Sequence, residues 1–550
     1  MAASQPFGFS CKGGLNTNLS QLELLQQPGA ATELINFEVD PDGGYRRING
    51  FTTAVVSKPN NNNTILGLMA YAGGLIVCSG TGIFWTIDFA SWVQINKGVI
   101  ANGEKNYDDF AAQTPAARTG QGRCSISVYE GNLSPYGEVV ICDGVNAPFY
   151  FYSTGTGNVN DATRRYVSGP LVNSGHQTLG ASSVSTIHGQ QLVVGGTATD
   201  PNEIYTSALN DVPSFSGTGS NAIRLADRVV GLKSFRGDLI VFCKNSIYRV
   251  VNLESADATT AVVPITKNIG CLDANSIQEI GGDLVFLAPD GIRTLAGTAR
   301  IGDVELTSVS RNIQNVISKI TKANVPYTIS SLVVRNKSQY RLFYSKAGES
   351  PAIARGIIGT FTGQGYEWSE TCGIEAVATT SELSNTGGKE QVFHGDRLGQ
   401  VYSHDLGNKF IHAGTDANIK AEYQSPSLDF GDMGTRKTIQ YVKISATPDD
   451  DNITVAAEPK LSVVFDFEDT NIQQPPTYTL PSIYPVAEFG VSRFSNDSFT
   501  SYFGASDNPL IRQPVQGSCY SSSYKISSED QLSPYTINGL YINYVPAGRR

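Results

Sequence analysis

One sequence pattern recurs through the middle of the chain and sets the strongest limit on how the chain can fold. Each copy begins with a turn that contains glycine, continues as a short aliphatic run, turns again and ends in a strand with aromatic residues. Five clear copies lie at 71–85, 136–152, 188–205, 236–250 and 281–295, and two weaker ones at 336–344 and 391–402. Their spacing of roughly 45 to 65 residues is typical of β-propeller blades with variable loops.

The pattern therefore predicts an all-β protein built around a β-propeller of six or seven blades. A single blade cannot bury both of its faces, so neighbouring blades must pack face to face, and closure of the ring removes free strand edges. The composition agrees, because only 16% of the 550 residues are charged and 56 are glycine. A helical bundle would instead be rich in Ala, Glu, Lys and Leu. The best helical spacing lies at 310–322.

The two flanks lack the blade pattern, which divides the chain into three predicted parts. Residues 1–58 are expected to form an extended N-terminal arm, residues 59–412 the propeller, and residues 413–550 a C-terminal β-rich platform domain. Residues 439–445 and 535–544 alternate strongly between apolar and polar side chains, as in a sheet with one wet face. We expect the arm and the C-terminal domain to pack together, with the propeller inserted between them.

Charge and cysteine usage narrow the function. The formal net charge of −10 argues against sequence-independent binding of nucleic acid, which requires a basic face. The eight cysteines are scattered, several within apolar runs, which favours buried, reduced thiols and folding in a cytosol. We expect neither a signal peptide nor a membrane-spanning segment, because no basic start precedes an apolar core and no apolar stretch approaches 18 residues.

The residue types that carry catalysis do not converge in the sequence. The five histidines lack zinc spacing, and no nucleophile elbow or phosphate-binding loop is present. His394 and His404, each with a nearby aspartate, are interpreted as structural residues. The acidic runs 40–44 and 449–452 are interpreted as solvated turns, because neither has the spacing of a calcium loop. We therefore predict no catalytic residue, no cofactor and no metal.

Both ends of the chain carry motifs that resemble one protein family. At the start these are residues 11–18 (CKGGLNTN), 25–36 (LQQPGAATELIN) and 43–51 (GGYRRINGF), and at the end residues 425–432 (SPSLDFGD), 436–437 (RK) and 537–550 (INGLYINYVPAGRR). Their order resembles that of the tail nozzle proteins of short-tailed bacteriophages, also called tail tubular or hub proteins. The resemblance covers about 60 residues at the start and 130 at the end.

The resemblance implies a non-enzymatic virion protein, assembled in the bacterial host cytoplasm, that forms a homohexameric ring. The ring would sit in the phage tail below the portal-adaptor complex, with tail fibres and possibly a tail plug or needle as neighbours. Viral DNA would pass through the lumen without specific binding during ejection. Arg46, Arg47, Arg436 and Lys437 match positions of the family pattern. They are interpreted either as surface or turn-anchoring residues, or as ion-pairing residues within the platform or between subunits.

Two other classes of function stay open on the sequence. The first is a propeller-type virion component that binds a receptor or a glycan through aromatic residues in a shallow pocket. The second is a propeller glycosidase or depolymerase, which would need paired carboxylates, or a tyrosine nucleophile, facing the propeller channel. The faint resemblance of residues 79–85 and 288–293 to sialidase boxes is incomplete in both cases.

Overall fold

The structure is a computed structural model of the 550-residue chain. It describes residues 4–95, 118–120, 122–131, 137–153, 166–170, 180–212, 214–215, 218–253, 260–296, 308–363, 365–383, 389–448, 457–483 and 510–546. The predicted fold class is confirmed: the chain is almost entirely β and forms a propeller with additional strands from both ends. The acidic run 449–452 lies outside the described residues.

The arm contributes one short helix and five short strands. The helix α1 (Gln21–Leu24) is capped by Ser20, whose hydroxyl accepts from the Glu23 backbone while the Glu23 carboxylate accepts from the Ser20 backbone. The strands are β1 (Gln5–Ser10), β2 (Glu33–Ile35), β3 (Phe37–Val39), β4 (Tyr45–Arg47) and β5 (Phe51–Thr53). These five strands belong to three different sheets.

The first five blades follow in chain order, and each is a separate antiparallel sheet. The first blade contains β6 (Ile65–Tyr71), β7 (Gly74–Ser79), β8 (Gly82–Thr86) and β9 (Val93–Gln94), and the second contains β10 (Ser125–Tyr129), β11 (Glu138–Cys142), β12 (Phe149–Ser153) and β13 (Tyr166–Pro170). The third contains β14 (Val184–His188), β15 (Gln191–Gly195), β16 (Glu203–Thr206) and β17 (Asn221–Arg224), and the fourth contains β18 (Val229–Phe235), β19 (Asp238–Cys243), β20 (Ile247–Val251) and β21 (Ala261–Thr266). The fifth contains β22 (Gln278–Ile280), β23 (Asp283–Ala288) and β24 (Gly291–Thr294).

The ring is completed by two further strand groups. After helix α2 (Gln314–Thr321) come β25 (Thr328–Val334), β26 (Gln339–Ser345), β27 (Arg355–Thr362) and β28 (Gly365–Cys372), followed by β29 (Ala378–Leu383), β30 (Glu390–Gly395) and β31 (Val401–His404). Strand β25 contacts both β22 and β29, and β29 contacts β6, so the circle closes. The described residues thus form six self-contained blades, and β25–β28 fill the remaining place in the ring. Helix α2 confirms the helical spacing predicted at 310–322.

The all-apolar runs of the sequence pattern become the second strand of each blade. Residues 75–78 of β7 are completely buried because blades pack on both of their faces. Ile76 and Trp85 of the first blade, for example, share one core with Val139 and Phe151 of the second. The innermost strands, such as β10 and β14, are rich in serine and threonine. The repeated pattern did not include them.

The remaining strands build the platform together with the arm. They are β32 (Phe410–His412), β33 (Thr415–Ala417), β34 (Ile419–Gln424), β35 (Lys437–Pro448), β36 (Lys460–Phe465), β37 (Tyr478–Thr479), β38 (Leu510–Pro514), β39 (Ser518–Cys519), β40 (Ser522–Asp530) and β41 (Tyr535–Pro546). One sheet has the order β3-β4-β41-β35-β38, with β1 also on β41 and β39 also on β35. We call it the terminal sheet, because strands from both ends of the chain form it.

The second platform sheet continues directly into the propeller. Its order is β25-β26-β27-β28-β2-β34-β40-β36-β37, so arm strand β2 joins the β25–β28 group to the C-terminal strands. The inner faces of the two sheets share one core, in which Val442 and Ile542 of the terminal sheet lie with Val463 and Tyr524. The nine-stranded sheet therefore contains strands from all three predicted parts of the chain.

The arm also closes the propeller. Strand β5 pairs with β31 as the outer strand of the last blade, with Phe51 opposite His404 and Thr53 opposite Tyr402. The Phe51 ring lies 4.8 Å from His394, 4.9 Å from Tyr402 and 5.2 Å from Phe410 between centroids, and the residue is 2% exposed. Backbone pairing and the buried Phe51 ring thus hold residues about 350 positions apart in sequence in one sheet.

We expect Phe51→Ala to lower the free energy of unfolding by about 3–5 kcal/mol, the usual cost of removing a buried phenylalanine ring. Urea titration followed by tryptophan fluorescence measures the change. Val56→Ala, at an exposed position of the same arm, is the matched control and should change stability by less than about 0.5 kcal/mol. Equal stability of the two variants would show that β5 does not hold the last blade closed.

Candidate assembly site

The axis of the propeller is narrow. A cavity of about 260 Å³ lies on it and is lined by all seven inner segments, mostly through small residues such as Gly67, Ser127 and Ser331. Arg123 lies across one end, where it donates to the Val377 carbonyl at 2.9 Å and approaches the Asp273 carboxylate at 3.4 Å. Such a cavity is far too small for a DNA duplex, whose major groove alone is about 12 Å wide.

A wider cleft opens beside this end of the axis. It has a volume of about 540 Å³ and carries the cations Arg123, Arg228 and Lys244. The Asp143 carboxylate on its wall already receives Arg118 at 2.5 Å. Arg228 and Lys244 are exposed, and neither forms an ion pair within the described ranges. The cleft is therefore locally positive on a chain with a negative net charge.

A buried carboxyl group lies in a second cleft, between the second and third blades. Burial raises the pKa of Glu138, although the Tyr150 hydroxyl donates a hydrogen bond to it. Asp211 lies on the rim of the same cleft, which has a volume of about 720 Å³. A raised carboxyl pKa beside a second acid is the arrangement that a glycosidase would need. The pairing of Glu138 with Tyr150 also serves packing alone. The prediction that the chain is not an enzyme therefore stays a prediction.

The densest set of buried charges joins the arm to the propeller. Glu38 of β3 is 2% exposed and receives three cations: Arg46 at 3.0 Å, Lys337 at 2.8 Å and Arg341 at 2.9 Å. The Asp405 carboxylate, directly after β31, receives Lys337 at 2.7 Å and Arg341 at 3.4 Å. These five residues, which we call the junction network, tie the arm, the β26 turn and the last blade together.

The junction network keeps its carboxylates ionised. Burial alone raises the pKa of Glu38, but Lys337, Arg341 and Arg46 outweigh it and hold that pKa below its usual range. Burial likewise raises the pKa of Asp405, and Arg341 and Lys337 reverse the effect, so the net pKa lies far below the usual range. The charges therefore stabilise one another only while every partner is in place.

Two neutral histidines extend the network into the last blade. Arg341 can only donate, so the His404 Nε2 at 3.0 Å accepts, and His404 Nδ1 donates to His394 Nδ1 at 3.2 Å. The proton of His394 then lies on Nε2, which is buried and has no hydrogen-bond partner among the described residues. Burial lowers the pKa of His394 to about 3, and burial, His394 and Arg341 lower the pKa of His404. Both rings are buried in the last blade, and their interpretation as structural residues stays a prediction.

The four residues matched to the family pattern occupy two places. Arg46 pairs with Glu38 in the junction network, whereas the next residue, Arg47, points to the opposite face of β4 and pairs with Asp530 at 2.7 Å. Lys437 is buried and donates to the carbonyls of Asp432 and Tyr520. Arg436 is exposed beside it. The Arg436 guanidinium donates to the Ser518 carbonyl at 3.5 Å, so all four residues have partners within this chain. Contact with another subunit remains a prediction.

The outward face of the terminal sheet is half-exposed and carries aromatic rings between cations. Arg512 lies 4.3 Å from the centroid of the Tyr441 ring, and Lys443 lies 5.8 Å from both Tyr441 and Tyr541. Leu510 on the same face is 63% exposed. Tyrosine and arginine are enriched at the energetically dominant points of protein interfaces. We call this surface the cation–tyrosine face, and it is the candidate assembly site.

The described residues contain no cluster that could hold a metal ion. Within the same residues, no helix is both long and apolar enough to cross a membrane. All eight cysteines are unpaired, and all are buried except Cys372, which is half-buried. The thiols therefore agree with the packing role predicted for them.

No family model and no curated protein matches the chain. Among the solved structures that resemble it is PorZ, a bacterial surface component of the type-IX secretion system of Porphyromonas gingivalis, with 12% identity, a TM-score of 0.35 and coverage of 72% of this chain and 44% of that one. The CNH domain of AfRom2 is similar at 10% identity, with a TM-score of 0.31 and coverage of 65% and 100%. The chain spans less than half the length of the PorZ structure. Neither likeness carries a functional conclusion.

We expect Arg341→Met to destabilise the chain by about 3–5 kcal/mol, because it leaves the buried Glu38 and Asp405 with too few cations. Arg355→Met, on an exposed position of neighbouring strand β27, is the control and should stay within about 0.5 kcal/mol of wild type. Urea titration measures both. A small effect at Arg341 would mean that the junction network does not hold the arm.

We expect the chain to lose stability in mild acid because His394 is buried in its neutral form. Since the folded pKa of His394 is about 3 and the unfolded value is 6.5, the unfolded chain binds more protons between these values. Stability should therefore fall with pH below 6.5, by about 1.4 kcal/mol per unit for this group. His394→Asn keeps a polar atom near Nδ1 but cannot titrate, and should make the slope between pH 7 and pH 5 shallower. At pH 7.5, where His394 is neutral in both states, the difference in unfolding free energy between the variant and wild type measures the lost packing. An unchanged slope of stability against pH in the variant would contradict the prediction.

Proposed function

We propose that this chain is the subunit of a ring-shaped tail nozzle of a short-tailed bacteriophage. One observation carries the proposal: both ends of the chain form a single sheet, in which β1 and β4 pair with β41 and β41 pairs with β35. Three of the motifs that resemble the nozzle family, at 43–51, 436–437 and 537–550, overlap strands β4, β35 and β41 of this sheet. The chain therefore has a rigid platform made of its two ends, with the propeller as an insertion.

The closed propeller axis supports the same proposal. If DNA passes this protein, it must pass through an opening between several copies, because the cavity of about 260 Å³ on the axis of one copy cannot admit a duplex. In the proposed assembly, six platforms surround that opening, attach to the portal-adaptor complex above, and carry fibres and a plug or needle around and below them. The net charge of −10 favours passage of DNA without binding, since DNA binding requires cations along its path.

We expect gold-labelled antibody against this chain to mark the tip of a short tail, on a ring with six-fold symmetry, in electron micrographs of purified source virions. A second antibody, raised against the capsid, controls for non-specific labelling. Label on fibres would contradict the nozzle proposal and favour host recognition. Absence of label from intact virions would reject a virion role.

The positive cleft favours a second candidate function, the binding of an acidic glycan. Its volume of about 540 Å³ suits a sugar of one or two rings, and Arg228 and Lys244 are exposed cations on its wall. We expect uronic or sialic acid oligosaccharides to bind in calorimetric titration, and the double variant Arg228→Gln, Lys244→Gln to weaken binding at least about tenfold. Neutral oligosaccharides are the matched control. Equal binding of acidic and neutral sugars, or none, would reject this candidate.

A further inference from the structure

One exposed turn of the platform holds three consecutive non-glycine residues in the left-handed region. Asp466, Phe467 and Glu468 have φ values of 46°, 59° and 59°. Residues with a side chain rarely adopt this conformation, and runs of three are rarer still. The turn is held from behind by the Asp466 carboxylate, which accepts from the backbone amides of Tyr520 at 2.9 Å and Ser521 at 2.7 Å. The fold thus fixes this turn firmly.

The turn exposes one aromatic ring beside two carboxylates. Phe467 is 55% exposed, and Glu468 and Asp469 beside it are exposed carboxylates. Within the described residues neither of these two carboxylates has an ion pair. The exposed side chain of Met433, 45% exposed, follows Asp432 in a loop that Lys437 connects to Tyr520. We call Asp466–Asp469 the acidic turn.

The cation–tyrosine face has the complementary chemistry. Lys443 pairs in register with Tyr541 on one side and with Arg512 on the other, and Tyr541 lies opposite Gly8. The adjacent rows through Tyr441 and Ser445 add no carboxylate. Because Gly8 has no side chain, the Tyr541 ring can lie over β1: a Cβ at Gly8 would come within 3.2 Å of that ring. The face is therefore aromatic and positively charged.

We infer that the acidic turn of one copy docks on the cation–tyrosine face of the next copy in the ring. Phe467 would lie on the tyrosine rings, and Glu468 and Asp469 would pair with Lys443 and Arg512. The two surfaces belong to different sheets of one platform, so the contact is heterologous, and heterologous contacts close into rings when the rotation between copies allows it. This inference rests on the proposed nozzle function, because it assumes that copies of the chain assemble side by side.

Zero-length cross-linking tests the contact directly, because a carbodiimide joins only an amine and a carboxylate that touch. Full-length chains labelled with ¹⁵N are mixed with unlabelled chains, cross-linked and analysed by mass spectrometry. We expect mixed-isotope peptides that join Lys443 to Glu468 or Asp469. A chain that sediments as a monomer at every concentration and gives no mixed-isotope product overturns the inference.

Charge reversal gives the second arm of the test. Arg512→Glu and Glu468→Arg should each weaken self-association about a hundredfold, because each places like charges together. A chain with both changes should recover association, since positions 468 and 512 then again carry opposite charges. Arg224→Glu on the propeller, where the side chain is 73% exposed, is the matched control and should associate like wild type. Circular dichroism verifies that each variant folds.

The outcomes separate this inference from the nozzle proposal. A labelled ring on virions, together with unchanged association of both single variants, overturns this interface and leaves the nozzle proposal in place. Specific cross-links from a chain that no virion contains support this interface and overturn the nozzle proposal. Recovery by the double change, combined with label at the tail tip, supports both.

Discussion

The burial of the Glu38 carboxylate is the constraint on which the rest of the architecture depends. An ionised carboxylate at 2% exposure is costly unless cations surround it. The chain provides three, one from the arm itself and two from the β26 region about 300 residues later. Asp405 at the end of the last blade requires two of the same cations. The arm, the sheet that starts with β25 and the last blade therefore gain stability only when they assemble together.

This constraint explains why the arm behaves as part of the fold and not as an appendage. Within 33–53 the chain places β2 in the nine-stranded sheet, β3 and β4 in the terminal sheet, and β5 in the last blade. Arg46 and Arg47 show how two neighbouring residues serve two of these connections, because successive side chains of a strand point to opposite faces. One arginine meets Glu38 and the other meets Asp530. Removing either partner would disturb a different contact of the arm.

The sequence predicted those parts of the fold that leave a local pattern. An apolar run between two glycine turns marks the second strand of a blade, because such a strand is buried on both faces, and helix α2 follows its apolar spacing. The innermost strands were missed because serines and threonines at the axis resemble loop residues. The junction network was missed for a different reason: Glu38 and Arg341 are 303 positions apart, and only the closed ring brings them together. The sequence shows an aspartate next to His404, but only the fold brings Arg341 to its ring.

The fold of the platform limits how copies of this chain could assemble. The cation–tyrosine face and the acidic turn belong to two sheets that share one core, and no flexible linker among the described residues separates them. The angle between the two surfaces is therefore a property of the folded platform. In a head-to-tail assembly this angle sets the rotation from one copy to the next, and thus the number of copies at closure. Ring size would then be determined by the packing of β35 and β41 against β36 and β40, and the propellers would be free to differ without changing it.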